Sequence, residues 1–110
     1  MLIEGNIDME LQITGKNVNI GKALPSHITD SIKETIKKYF SRAIDARVVI
    51  QKNGNMFNTE IHVHINKYVD VDANGMAGDA YSSFELALEH IAKRLRRKKR
   101  MFSDKHYDRR

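Results

Sequence analysis

The chain has 110 residues, 41% of them apolar and 30% charged, enough for one modest core and too apolar for a disordered segment. It contains no cysteine, which excludes a disulfide framework and thiolate chemistry and fits a reducing compartment. The net charge of +5 is unevenly placed: residues 1–92 carry nine Lys/Arg against twelve Asp/Glu, and residues 93–110 carry ten against two. One end of the chain is therefore the natural surface for a polyanion. No apolar run reaches the length of a membrane span, and the opening MLIEGNIDME has acids where a signal peptide has bases. The expected setting is the cytoplasm, with no membrane partner.

Residues 1–8 lack clean alternation and are interrupted by Gly5-Asn6, so they read as an N-terminal extension, disordered or upstream of a natural start at Met9. Met9 to Thr14 alternates strictly and predicts a half-buried strand with Met9, Leu11 and Ile13 inward, ended by Gly15. A helix is predicted over 22–40, with Leu24, Ile28, Ile32, Ile36 and Tyr39 on one face and Pro25 in the first turn. Lys22, Lys33, Lys37 and Arg42 supply bases on or beside its polar side, interleaved with Asp30 and Glu34.

Residues 46–52 predict a second strand and Asn53-Gly54-Asn55 a hairpin turn. The third strand places Phe57, Thr59, Ile61, Val63 and Ile65 on one side and Asn58, Glu60, His62, His64 and Asn66 on the other. A turn near Asn66-Lys67 leads to a fourth strand with Val69, Val71 and Ala73 inward and Asp70 and Asp72 outward. Gly75-Met76-Ala77-Gly78 reads as a loop, and Asp79 as the N-cap of a last helix running to about Met101. Phe84, Leu88, Ile91, Leu95 and Phe102 form that helix's apolar stripe. Lys93, Arg96, Arg97 and Arg100 fall opposite it, with Arg94 and Lys98 on the flanks. The fold class that follows is α+β, β-α-β-β-β-α, a four-stranded sheet with two helices packed on one face.

Lys93 to Arg100 holds seven bases in eight residues without an acid, whereas an ordinary solvated helix face mixes signs. Phosphate neutralisation by lysine and by bidentate arginine explains such a run. Tyr81, at the margin of the stripe, could stack on a base or sugar, although core packing is the commoner fate of an aromatic there. Ser26-His27 at a helix start fits either capping or RNA contact. His62, His64, Asp70 and Asp72 share the outer sheet face and are a speculative divalent-metal set. Exposed sheet faces ordinarily alternate polar residues, so no physiological metal is expected. The chain has no glycine-rich phosphate loop opening a helix and no recognisable nucleophile set, so neither an enzyme nor a cofactor is expected.

Several stretches resemble the ribosome hibernation promoting factor family, which includes the ribosome-associated inhibitors called protein Y. They are Leu11-Gln12-Ile13-Thr14-Gly15-Lys16, Lys38-Tyr39-Phe40, Ala46-Arg47-Val48-Val49-Ile50 and Asp79-Ala80-Tyr81-Ser82-Ser83-Phe84-Glu85, continuing to Leu95-Arg96-Arg97-Lys98-Lys99. The resemblance spans residues 9–102 as a single ribosome-binding domain, followed by a short basic tail at 103–110. It implies a β-α-β-β-β-α fold related to the double-stranded-RNA-binding domain. It also implies binding to small-subunit ribosomal RNA, with nearby ribosomal proteins, in the channel of mRNA and A- and P-site tRNA. Translation would be blocked and idle ribosomes stored. The chain resembles the family's short type, expected to be a monomer off the ribosome, with a ribosome-dimerising partner factor left open. Its RNA contacts would fall to Lys22, His27, Lys33, Lys37, Arg42, Tyr81, Lys93, Arg94, Arg96, Arg97, Lys98 and Arg100. The alternatives are a general structured-RNA binder and a metal-binding interaction module.

Overall fold

A computed structural model describes the backbone of residues 9–108 and the side chains of residues 9–101. The expectations for residues 1–8, for Phe102 in the apolar stripe and for the side chains of the tail lie outside these described residues. The elements are β1 (Glu10–Lys16), α1 (Ala23–Lys37), β2 (Asp45–Asn53), β3 (Met56–Asn66), β4 (Val69–Ala77) and α2 (Ala80–Asp108), in the predicted order.

The strands lie in the sheet in chain order, β1-β2-β3-β4. β1 pairs parallel to β2, a geometry that needs a crossover, and α1 supplies it. β2–β3 and β3–β4 are antiparallel hairpins. Gly54, at φ 62°, takes the left-handed conformation that the first hairpin turn demands. Alternation sends Ala46, Val48, Ile50, Ile61, Val63, Ile65, Val69, Val71 and Ala73 into one core, where Leu24, Ile28, Ile32 and Ile36 of α1 meet Phe84, Ala87, Ile91 and Leu95 of α2. Each large side chain buried this way contributes about 1.5–3 kcal/mol. Leu88, predicted in the stripe, is only partly buried, and Ala87 is buried in the core.

Several boundaries differ from the sequence reading. β1 does not end at Gly15 but runs through it, paired with Ile50, to Lys16. α1 ends at Lys37, because the Ile36 carbonyl accepts the N–H groups of both Tyr39 and Phe40 at 2.9 Å, and the two aromatics turn onto the core. α2 extends past Met101 to Asp108. The predicted loop at Gly75-Met76-Ala77 is instead the end of β4, paired with Thr59, Asn58 and Phe57. Gly75 is there for close approach rather than for a turn. A Cβ on it would lie 2.5 Å from the Ala87 nitrogen and 2.7 Å from the Ser83 carbonyl oxygen. Only a bare Cα lets α2 cross β4 at that distance.

Candidate nucleic-acid interface

The cationic surface depends on how α2 is held. Asp79 caps it as predicted: its Oδ1 accepts the Ser82 N–H at 2.8 Å and its Oδ2 accepts the Ser82 hydroxyl at 2.9 Å. The Ser82 backbone bond, then the Ser82 hydroxyl, hold the Asp79 carboxyl below the usual carboxylate range. One residue on, the Ser83 hydroxyl is buried against Thr59 of β3. With Phe84, Ala87, Ile91 and Leu95 inward, the rotation of the helix is set. Lys93, Arg94, Arg96, Arg97, Lys99 and Arg100 are consequently exposed and Lys98 half-buried. The bases occupy the middle of α2, residues 93–100, and Glu85 and Glu89 lie on its N-terminal side.

These seven cations do not form one uniform face. Arg94, Arg97 and Lys98 line a 320 Å³ cleft with Asp70, Asp72 and Met101, where the β4 edge meets the helix. Arg94 also closes a 480 Å³ cleft on the outer sheet face, with Arg47, Glu60, His62, Asp72 and Asn74. The acids in both clefts offset part of the local positive potential. Lys93, Arg96 and Arg100 line neither cleft. Lys99, which the sequence reading left out of its site, has its Nζ 5.8 Å from the Phe40 ring centroid, on the side toward the end of α1. Nothing in a helical wheel identifies that contact, because Phe40 lies outside both helices.

The remaining predicted contacts separate into two places. Lys22, Lys37 and Arg42 are exposed and Lys33 half-buried, along and just beyond α1. His27 and Tyr81 are brought together at the N-terminal ends of the two helices, with ring centroids 5.4 Å apart. His27 also stands edge-on to the buried Phe84 at 5.7 Å, and its Nε2 lies 2.6 Å from Glu85 Oε2. His27 is not a cap, since Lys22 holds the N-cap position of α1 and makes no side-chain cap bond. Twelve helical residues, or about 18 Å, separate Tyr81 from Lys93. Between the helices runs a shallow groove lined by Lys38, Tyr81, Glu85 and Glu89, mixed in sign.

The speculative metal residues do share the outer face, with His62 opposite Asp72 and His64 opposite Asp70. They do not assemble as ligands. His62 Nε2 pairs diagonally with Asp70, and Arg47 donates to His62 Nδ1 at 3.4 Å. Among the described residues no three His, Asp or Glu side chains converge on a metal position. The cross-strand pairing of His62 takes up both imidazole nitrogens that the speculative metal set would need.

A sheet in the order β1-β2-β3-β4, backed by two helices of which the second carries an acid-free run of bases, defines a class of small α+β domains. Residues 11–102 match the model of the family described as Sigma 54 modulation protein / S30EA ribosomal protein, and the chain belongs to that family. It is 35% identical over 98 residues to the ribosome hibernation promotion factor of Rhizobium meliloti, covering 89% of this chain and 52% of that protein. It is 26% identical over 91 residues to the ribosome hibernation promoting factor of Escherichia coli, covering 83% of this chain and 94% of that one. The chain thus spans about half the length of the Rhizobium relative. The fold is similar to the Thermus thermophilus protein Y N-terminal domain, with TM-score 0.71 at 20% identity over 78% of this chain and 93% of that chain. It is similar also to a ribosomal subunit interface protein from Coxiella burnetii, with TM-score 0.73 at 17% identity over 83% and 98%.

Proposed function

We propose that this chain is a ribosome hibernation factor that binds small-subunit ribosomal RNA in the cytoplasm, in the channel used by mRNA and by A- and P-site tRNA. Bound there, it would hold ribosomes inactive without catalysing a reaction. The names of the relatives support the ribosome as partner. The observation that carries the RNA reading is the stretch 93–100 of α2, where Lys93, Arg96 and Arg100 project from a core-anchored helix and line neither acid-bearing cleft. A phosphate-dense channel rewards that arrangement through counterion release and charge-assisted hydrogen bonds. Arg94, Arg97 and Lys98, beside Asp70 and Asp72, hold a secondary place in the interface.

Sedimentation of ribosomes with and without the chain tests this. The parent should travel with small subunits and inhibit translation in a cell-free reaction. Charge reversal of Arg96 and Arg100 together should abolish both while leaving circular dichroism and thermal stability near the parent's, since both side chains are exposed. Reversal of Glu60, on the outer sheet face, is the matched control and should keep binding. A helix variant that still sediments and inhibits would move the interface to α1. Equal competition by unrelated duplex RNA would replace the ribosomal reading with a general RNA binder.

A further inference from the structure

The turn between β3 and β4 carries an aromatic residue, Tyr68, outside the buried core. Tyr68 is 67% exposed, the highest value among the exposed large hydrophobics of the described residues. Isolated exposed apolar residues are common and need no function. Three observations separate Tyr68 from that background. Its backbone is held: the Asn66 Oδ1 accepts the Tyr68 N–H at 2.7 Å and the Val69 N–H at 3.0 Å, and the turn is anchored by buried Ile65 and Val69. Its ring carries a cation, with Lys67 Nζ 5.4 Å from the centroid. It also lies at the end of the sheet to which α2 delivers its bases, because Asp70 and Asp72, just beyond it in β4, share a cleft with Arg94, Arg97 and Lys98.

From this geometry we infer that Tyr68 is a stacking platform for an unpaired RNA base, with Lys67 meeting the phosphate attached to it. The inference rests on the ribosomal RNA reading above and adds the single-stranded character of the RNA at this contact. Base stacking on an aromatic is sequence-tolerant and strengthened by a neighbouring cation. A turn already fixed by Asn66 gives up little conformational freedom when the base arrives. The helix then supplies attraction over distance, and the turn contacts a base splayed from its helix.

The chain has no tryptophan, so Tyr68→Trp introduces a sole indole at the proposed contact. Purified small ribosomal subunits are titrated into this variant while emission and co-sedimentation are both followed. Stacking should quench the indole in step with binding. Tyr68→Ala should weaken binding about five- to hundredfold without a change in melting temperature, and Tyr68→Phe should bind like the parent. Co-sedimentation with unchanged emission would overturn the inference and leave the ribosomal reading standing. A blue shift without quenching would overturn it in favour of a ribosomal protein at Tyr68. An alanine variant that binds like the parent would overturn it as well. If the parent itself fails to sediment with small subunits, the inference falls together with the ribosomal reading.

Discussion

Thr59 on β3 and Ser83 on α2 share a hydroxyl–hydroxyl bond of 2.6 Å, and both residues are fully buried. Ser83 Oγ also bonds the Ala80 carbonyl at 2.9 Å, so its hydrogen-bonding capacity is used in two directions. This polar pair, set in an otherwise apolar contact, permits one rotation of α2 against the sheet. That rotation decides which bases face outward.

A double-mutant cycle checks the coupling. Ser83→Ala leaves the Thr59 hydroxyl buried without its partner and should cost about 1–3 kcal/mol by denaturant unfolding. Thr59→Val should cost about 1 kcal/mol, because Ser83 keeps Ala80. The double variant should lose less than the sum of the two. Strict additivity would mean that the pair is not coupled.

Gly75→Ala tests the close crossing of β4 and α2. The added methyl meets the backbone of Ala87 and Ser83 at 2.5 and 2.7 Å, and neither can swing aside as a side chain would. Stability should fall by about 1–3 kcal/mol or more, through overpacking. RNA affinity should fall with it as the helix is displaced. A variant as stable as the parent would return this segment to the loop that its composition suggests.

Asp79 gives the pH dependence. Its folded carboxyl titrates below the ordinary value near 3.8, first because of the Ser82 N–H. A group depressed on folding contributes stability above its unfolded value and loses it as pH falls through the folded one. Asp79→Ala should therefore melt lower than the parent at neutral pH, and the gap should close as pH falls below the ordinary carboxylate range. Thermal melts of both chains across that window are the measurement. A gap independent of pH would mean that the charge of Asp79 does not contribute to the cap.

Salt titration probes the interface as a whole. If four to six phosphates are neutralised, log K against log salt should fall with a slope of roughly −3 to −5. Reversing Arg96 and Arg100 should flatten whatever binding survives. A slope near zero in the parent would remove the basic helix from the interface.

Much of this molecule is legible in one dimension because the periods of strand and helix are local properties. The alternation of β3 from Phe57 to Ile65, the Asp79 cap and the acid-free run of α2 each depend on neighbours within a few residues, and each is found as read. Gly75 is not legible in this way, because a glycine required by a crossing helix looks, in sequence, like a glycine required by a turn. The sorting of the basic run was likewise hidden. Arg94, Arg97 and Lys98 stand beside acids of β4 and Lys99 beside Phe40 only once α2 has been laid across the sheet. His62 is similar, since its pairing with Asp70 and Arg47 depends on strands that are neighbours in space. Charge density is a sum along the chain and can be counted from sequence. The field that a phosphate would meet depends on distances across elements, and only the tertiary structure decides those.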